Sequence, residues 1–251
     1  MRQIRGMKIL VCVSQAPDTT SRIAFTEGGK VFESSGVQYI VNPYDEWYAL
    51  VRGIELKESL GGSVTTVTVG SAACDPVIRK ALAIGADDAV RLDVDPTDAM
   101  QVASLIAGYA KDKGFDLILC GKETIDHNGS IVPAMVAEMM DWPFIALASK
   151  LEVNGRVASV QRESAGGTES VEVSLPLVLS AAKGMAEQRI PNMRGIMSAR
   201  SKPLLVESGQ AEPATEVQEF TLPPAKGACK IIPAEQAEEL IRLLREEAKV
   251  I

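Results

Sequence analysis

Met7–Ser14 (MKILVCVS) is an almost unbroken apolar run rich in branched side chains. Such a run predicts a strand buried on both faces, as in parallel sheets. Val64–Val69, Ala89–Leu92 and Phe115–Cys120 repeat the pattern. Helical spacing fills the intervals. In Asp45–Ser59 the residues Trp47, Leu50, Val51, Ile54 and Leu56 recur at helical intervals, and Gly61-Gly62 stops the run. Asp75–Gly85 opens with Asp75 as an N-cap and Pro76 at the first helical position. Thr97–Lys111 and Pro133–Met140 supply two further helices. Strand alternating with helix predicts βαβ units and an α/β fold with a doubly wound, mostly parallel sheet. Val31–Val41 reads as a hairpin or an edge strand.

The texture changes after Pro143. Lys150–Val160 and Ser170–Leu179 read as strands, with a turn at Glu163–Gly167. Ala181–Pro203 holds two Pro, two Gly, three Met and five Lys or Arg without clean periodicity, and a long unpatterned loop is usually functional. Glu207–Pro224 reads as an extended linker. Pro233–Lys249 closes the chain as an amphipathic helix with Ala237, Leu240, Ile241, Leu244 and Ala248 on one face. Such a helix at the end of a linker needs a surface to dock on.

Composition narrows the classes. The 251 residues are 46% hydrophobic and 24% charged, which is globular. A formal charge of −7 disfavours a nucleic-acid partner, whose phosphates must be met by Lys and Arg. Four cysteines lie far apart, with no CxxC pair and a single histidine, so the usual zinc sets cannot be assembled. Cys12 and Cys120 fall in apolar runs and read as reduced core thiols. No stretch approaches the roughly 20 apolar residues of a spanning helix, and Met1–Lys8 lacks a secretory h-region. The expectation is a cytoplasmic protein that is not membrane-inserted.

Ligands of open parallel sheets bind outside the carboxyl ends of the strands. The segments there are Gln15–Thr20, Asn42–Glu46, Gly70–Pro76 and Gly121–Pro133. The last runs from a strand through Gly121-Lys122 and Asp126-His127-Asn128-Gly129-Ser130 into a helix, a pattern that suits a phosphate at a helix N-terminus. It is neither GxGxxG nor GxxxxGK[ST], and a capped loop accounts for it equally well. For Asn42-Pro43-Tyr44-Asp45, a turn with Asp45 as cap is sufficient. No G-x-S-x-G elbow or other catalytic constellation is present, so the chain is not expected to be an enzyme by itself.

These residues resemble the β subunit of electron transfer flavoproteins along essentially the whole chain. The resemblance rests on MKILVCVSQAPDT, NPYDEW, IRKALAIGADDAVRL, LILCGKETIDHNG, AEMMDWP, RESAGG, SLPLVLSAAKG, EQRIPNMRGIMSARSKPL and LPPAKGACKII, in that order. It implies an adenine nucleotide α-hydrolase-like domain over residues 1–206, including a recognition loop at 183–202. It also implies a C-terminal arm over 207–251 that ends in a helix and docks on an α subunit. FAD is implied chiefly in that α subunit and AMP in this one. The nucleotide contacts it implies are Cys12, Asn42, Pro43, Tyr44, Asp45, Val69, Gly121, Lys122, Glu123, Thr124, Ile125, Asp126, His127, Asn128, Gly129, Ser130, Ile131 and Val132. Val132 stands where the family commonly has Thr, with Ser130 as a substitute hydroxyl, and this departure weighs against a second FAD in place of AMP.

The resemblance further implies that Met193 is an apolar anchor for flavin dehydrogenases such as acyl-CoA dehydrogenase. Ile196 lies beside it, and Arg189, Arg194, Arg200 and Lys202 steer acidic partners. Packing of Met193 and Ile196 against the core is the plainer reading. Glu163 is implied as a restraint on a mobile flavin domain, and Asp18 and Thr19 as a loop leaning toward the flavin. Electrons would pass on to a quinone oxidoreductase. The competing readings are a bifurcating relative holding a second FAD and a homodimeric nucleotide-binding sensor.

Overall fold

The computed structural model describes residues 6–251. The expectation of no secretory leader therefore concerns a segment whose Met1–Arg5 portion lies outside the described residues. The chain opens with β1 (Met7–Cys12), followed by the short strands β2 (Gln15–Pro17), β3 (Phe25–Thr26), β4 (Val31–Phe32) and β5 (Tyr39–Val41). Next come α1 (Asp45–Leu60), β6 (Gly62–Val69), α2 (Asp75–Ile84), β7 (Asp88–Leu92), α3 (Ala99–Ala110), β8 (Leu117–Gly121) and α4 (Val132–Met140). The remainder is β9 (Phe144–Asn154), β10 (Val157–Ser164), β11 (Gly167–Ser174), β12 (Leu177–Ala181), α5 (Met193–Ala199), β13 (Leu204–Glu207) and α6 (Ala237–Glu246).

Nine strands form one sheet in the order β11-β10-β9-β12-β8-β1-β6-β7-β13. All pairs from β9 to β13 are parallel, and β9, β10 and β11 pair antiparallel. The chain steps from β1 to β6 on one side and returns to β8 on the other, which makes β1/β8 the topological switch point.

The apolar strand runs explain why the sheet is covered twice. Alternate residues of a strand face opposite sides. Ile9, Val11 and Val13 join Leu117, Leu119, Leu177 and Leu179 in one core, under α1 and α2. Leu10 and Cys12 join Ile118, Cys120 and Val178 in the other, under α3 and α4. Leu119 is fully buried, so Leu119→Ala should cost about 2–5 kcal/mol of stability. A fall in the urea midpoint at unchanged slope checks this.

The α/β class and the doubly wound, mostly parallel sheet agree with the sequence pattern, and several local expectations need correction. Asp75 is the first residue of α2 rather than its cap. Ser71 caps the short turn before it, accepting from Ala73 N at 3.4 Å. Likewise Asp45 opens α1 without capping it, and Tyr44 precedes it at φ 65°. Lys150–Val160 is not one strand, because Asn154–Val157 turns a hairpin through Gly155 at φ 61°. Ser170–Leu179 is also two strands, divided at Leu175-Pro176, which is a cis peptide bond. Val31–Val41 contributes to two separate ribbons, β3–β4 and β2–β5.

Ala181–Pro203 is not unpatterned. Asn192 accepts from Gly195 N at 2.8 Å and caps α5. Leu204–Glu207 then adds the edge strand β13 beside β7.

Residues 207–222 are not a free linker. Asp98, which caps α3, also accepts from Ala214 N and Thr215 N at 2.7 Å each and from Thr215 Oγ1 at 3.0 Å. Gln101 Nε2 donates to Ala211 O at 2.8 Å. Farther along, Phe220 N donates to Gly29 O at 2.7 Å, and the Phe220 ring stacks on Phe25 at 4.9 Å. Beyond this point, among the described residues, the hydrogen bonds and ion pairs of 223–251 stay within that segment. Leu240 and Ile241 of α6 are exposed, while Leu243 is buried.

Candidate functional site

Two loops meet at the carboxyl ends of β1 and β8. Asn42 is fully buried. Its side-chain N–H donates to Glu123 O at 3.0 Å, and its Oδ1 accepts from Ile125 N at 2.9 Å. Its backbone N–H reaches Ser14 O at 3.2 Å. One amide thus ties the loop after β5 to the loop after β8 and to the exit of β1. Lys122 N continues the ladder to Ala181 O at 2.9 Å, which fixes the end of β12 alongside.

In the first turn of α1 sits Glu46, buried beneath these loops. Ser14 N donates to its Oε2 at 2.8 Å, and Ser14 Oγ lies 2.9 Å from both carboxyl oxygens. Gly121 makes this approach possible: a Cβ there would stand 2.7 Å from Glu46 Cγ and from Glu46 N. Burial drives the Glu46 carboxyl up to about 8, against the lowering bonds from Ser14, and Asp126 and Asp45 push the same way. Desolvation also raises Asp45. The Cys12 thiol is raised by its bond with Cys120 and by burial.

A cavity of about 310 Å³ opens between these loops. Pro43, Tyr44, Asp45, Lys122, Glu123 and Ile125 line it, together with Tyr48 and Lys183. Of the positions named from sequence, the structure therefore brings the 42–45 and 121–125 segments together around one space. Cys12 and Val69 stand at the ends of β1 and β6 and do not line it. Thr124 and Asp126–Val132 do not line it either, and the latter stretch runs on to the start of α4. Within this stretch Asn128 and Ser130 both take positive φ, 48° and 55°. Asn128 N donates to Thr124 O at 2.9 Å, and alternating backbone handedness is a geometry in which neighbouring N–H groups can face an anion. Ser130 Oγ donates to Glu123 at 2.9 Å, so its hydroxyl is already engaged. Lys122 also pairs with Glu123, at 2.8 Å. His127 is exposed, 3.8 Å from Asp126.

Ser14 and Tyr48 were not among the candidate site residues named from sequence, Glu46 fell only at the end of the Asn42–Glu46 segment, and Lys183 only at the start of the recognition loop. The place of Glu46 directly after the Asn42–Asp45 turn and the position of Lys183 just past an apolar strand were the available signals.

The second candidate surface is α5. Ile190, Met193 and Met197 are 84%, 72% and 68% exposed, and Ile196 is exposed as well. The helix is held from below: Arg79 donates to Ala199 O at 2.9 Å and to Lys202 O at 2.7 Å. Lys202 Nζ donates to Leu82 O at 2.8 Å and also to Ala86 O. Arg189 forms a forked pair with Glu58 at 2.8 and 3.0 Å. Arg189 and Lys202 therefore mount the segment rather than stand free on it, whereas Arg194 and Arg200 are exposed. Gly195 faces Ala83 O so closely that a Cβ would overlap that carbonyl.

Glu163 lies in β10 opposite Thr168, not in the turn itself, and its charge acts on Lys122. Asp18 accepts from Thr20 N at 2.9 Å and from Thr20 Oγ1 at 2.6 Å, which lowers it and closes a local turn that also contains Thr19. Among the described residues no cluster of His, Cys, Asp or Glu is arranged to hold a metal, and no helix is long and apolar enough to cross a membrane.

The electron transfer flavoprotein domain family matches residues 29–210. The electron transfer flavoprotein subunit beta of Bacillus subtilis is 40% identical over 260 aligned residues, covering 98% of this chain and all of that protein. The protein of the same name from Syntrophomonas wolfei is 38% identical, covering 89% of this chain and 88% of its own. The human protein of that name is 33% identical over 80% of each.

Proposed function

Because the chain belongs to the electron transfer flavoprotein β-subunit family, we propose that it is one half of a heterodimeric electron carrier in the cytoplasm. The α subunit carries the redox FAD. This subunit binds AMP, shapes the flavin site and presents the surface on which flavin dehydrogenases, acyl-CoA dehydrogenase among them, deliver electrons. The pair then reduces a quinone oxidoreductase. The subunit performs no catalysis alone.

The Asn42 clasp carries the nucleotide part of this reading. It brings two strand-exit loops to the switch point of a parallel sheet, where nucleotides of this fold class bind. The residues fit an adenylate. The space of about 310 Å³ is within the range of small-ligand pockets, and the turned backbone of 127–131 leads into the N-terminus of α4, which favours a phosphate. Asn42–Asp45 and Gly121–Ile125 would hold one side of the nucleotide. Cys12 and Val69 would meet it through their backbone, and Asp126–Val132 would meet its phosphate. Val132 offers no hydroxyl and Ser130 is bonded to Glu123, so backbone N–H groups supply the phosphate contacts. Residues 1–206 make up the nucleotide-binding domain and 183–202 the recognition segment; of the arm over 207–251, the part that reaches the α subunit is 223–251, since 207–222 is fastened to the domain. Glu163 restrains the flavin domain from the sheet edge.

The exposed Met193 on a firmly mounted helix supports the docking role. Methionine packs adaptably against several partners, and Arg194 and Arg200 steer acidic ones. Met193→Ala should lower the rate of flavin reduction by a dehydrogenase about ten-fold, the effect of roughly 1.4 kcal/mol at a docking anchor. Heterodimer yield and flavin content should stay normal. Stopped-flow reduction at limiting dehydrogenase measures this, and an unchanged rate contradicts the anchor.

A further inference from the structure

We infer that Glu46 is a positioning residue for the nucleotide: its protonated, buried carboxyl group joins the exit of β1 to α1 beneath the loop after β8 and keeps that end of the sheet free of an additional negative charge. This rests on the AMP reading above. Three observations converge on it. Glu46 is buried with Ser14 as its hydrogen-bonding partner, and no cation pairs with it among the described residues. It shares the β5–α1 connection with Asn42, and from that connection Glu46 holds the exit of β1 through Ser14 while Asn42 holds the loop after β8 through Glu123 and Ile125. Gly121 leaves the space its side chain occupies.

A carboxylate in that position would need a positive partner or several donors to offset its desolvation. The groups that act on it from the surrounding elements are the wrong ones. Asp45 comes from its own helix, Asp126 from the loop after β8, and the Cys12 thiol from β1. Tyr39 of β5 is itself raised by burial and by Asp126. Lys122, the nearest lysine in that loop, is paired with Glu123. As a neutral acid, Glu46 still accepts from Ser14 N and from Ser14 Oγ, the two donors that face it.

Burial raises this group, so its contribution is present in full below the ordinary carboxyl range and is lost as pH rises through about 8. The charge that then appears lies against Ser14 and Gly121, at the end of the sheet where the nucleotide is proposed to sit, in a poorly screened interior. AMP should therefore bind at least about ten-fold more weakly at about pH 9 than at about pH 7, whereas completing the ionisation of its phosphate over that window favours binding at an anion site and works in the opposite direction.

The test uses the heterodimer co-purified with its α subunit, with AMP affinity measured across that range. Glu46→Gln reproduces the neutral acid, accepting at Oε1 and donating from Nε2, and should bind AMP with a flat profile. Ser14→Ala removes the hydroxyl that lowers the group and should move the loss of AMP to higher pH. Infrared spectra at neutral pH should show a protonated-acid carbonyl band that Glu46→Gln lacks. Parallel AMP profiles in the wild type and Glu46→Gln, or absence of that band, overturn the inference. A complex that binds no AMP at any pH overturns the nucleotide reading instead. The infrared band and the pH dependence of the thermal midpoint, which should flatten in Glu46→Gln, then still decide whether Glu46 holds the proton.

Discussion

A chain ending at Leu222 is expected to fold with an unchanged thermal midpoint and to lose the α subunit. The part retained is tied down. Asp98 holds Ala214 and Thr215, Gln101 holds Ala211, and Phe220 stacks on Phe25. The part removed, 223–251, keeps its hydrogen bonds to itself among the described residues. It also exposes Ile231, Leu240, Ile241, Val250 and Ile251. Such side chains gain about 1.5–3 kcal/mol each when fully covered. Covering even two of them on a partner, with the usual losses on binding, is worth about a hundred-fold in affinity or more. The truncated chain should therefore fail to co-purify with a tagged α subunit. Normal co-purification would show that 223–251 is not the docking arm.

Gly195→Val should have the second largest effect, and at the opposite end of the protein's work. The Gly195 backbone rests against Ala83 O, with no room for a side chain between α5 and α2. Arg79 and Lys202 hold that contact closed from both sides. A branched side chain must lift the helix, and overpacking of this kind costs about 1–3 kcal/mol. Met193 and Met197 move with it. Reduction of the bound flavin by a dehydrogenase should slow by about ten-fold or more, while heterodimer assembly and flavin content remain those of the wild type. An undisturbed reduction rate would mean that the mounting of α5 is irrelevant to docking.

The sheet was legible because its strands are buried on both faces, and a run such as Met7–Ser14 has few other stable conformations. The antiparallel strands were harder. Lys150–Val160 and Ser170–Leu179 read as continuous because both sides of each break alternate in the same way. A hairpin at Asn154-Gly155 leaves less trace in a pattern than a helix start does. Helix α5 was missed because it is short, exposed on most faces and held by contacts from other elements. Asn192, three residues before Gly195, was its only local sign. At the candidate site the sequence marked the loops but not what joins them. Asn42 read as part of a turn, and Glu46 had no role beyond closing the Asn42–Glu46 segment. Their roles follow from Ser14 and Ile125, which are distant in sequence and adjacent only because β1 and β8 pair.

The most direct measurement is to release and identify the nucleotides from the complex co-purified with its α subunit. The account predicts one FAD and one AMP per heterodimer, with AMP absent when the α subunit is isolated alone. Two FAD per pair would make this a bifurcating protein. A chain that purifies as a homodimer with no flavoprotein attached would contradict the assignment as a whole.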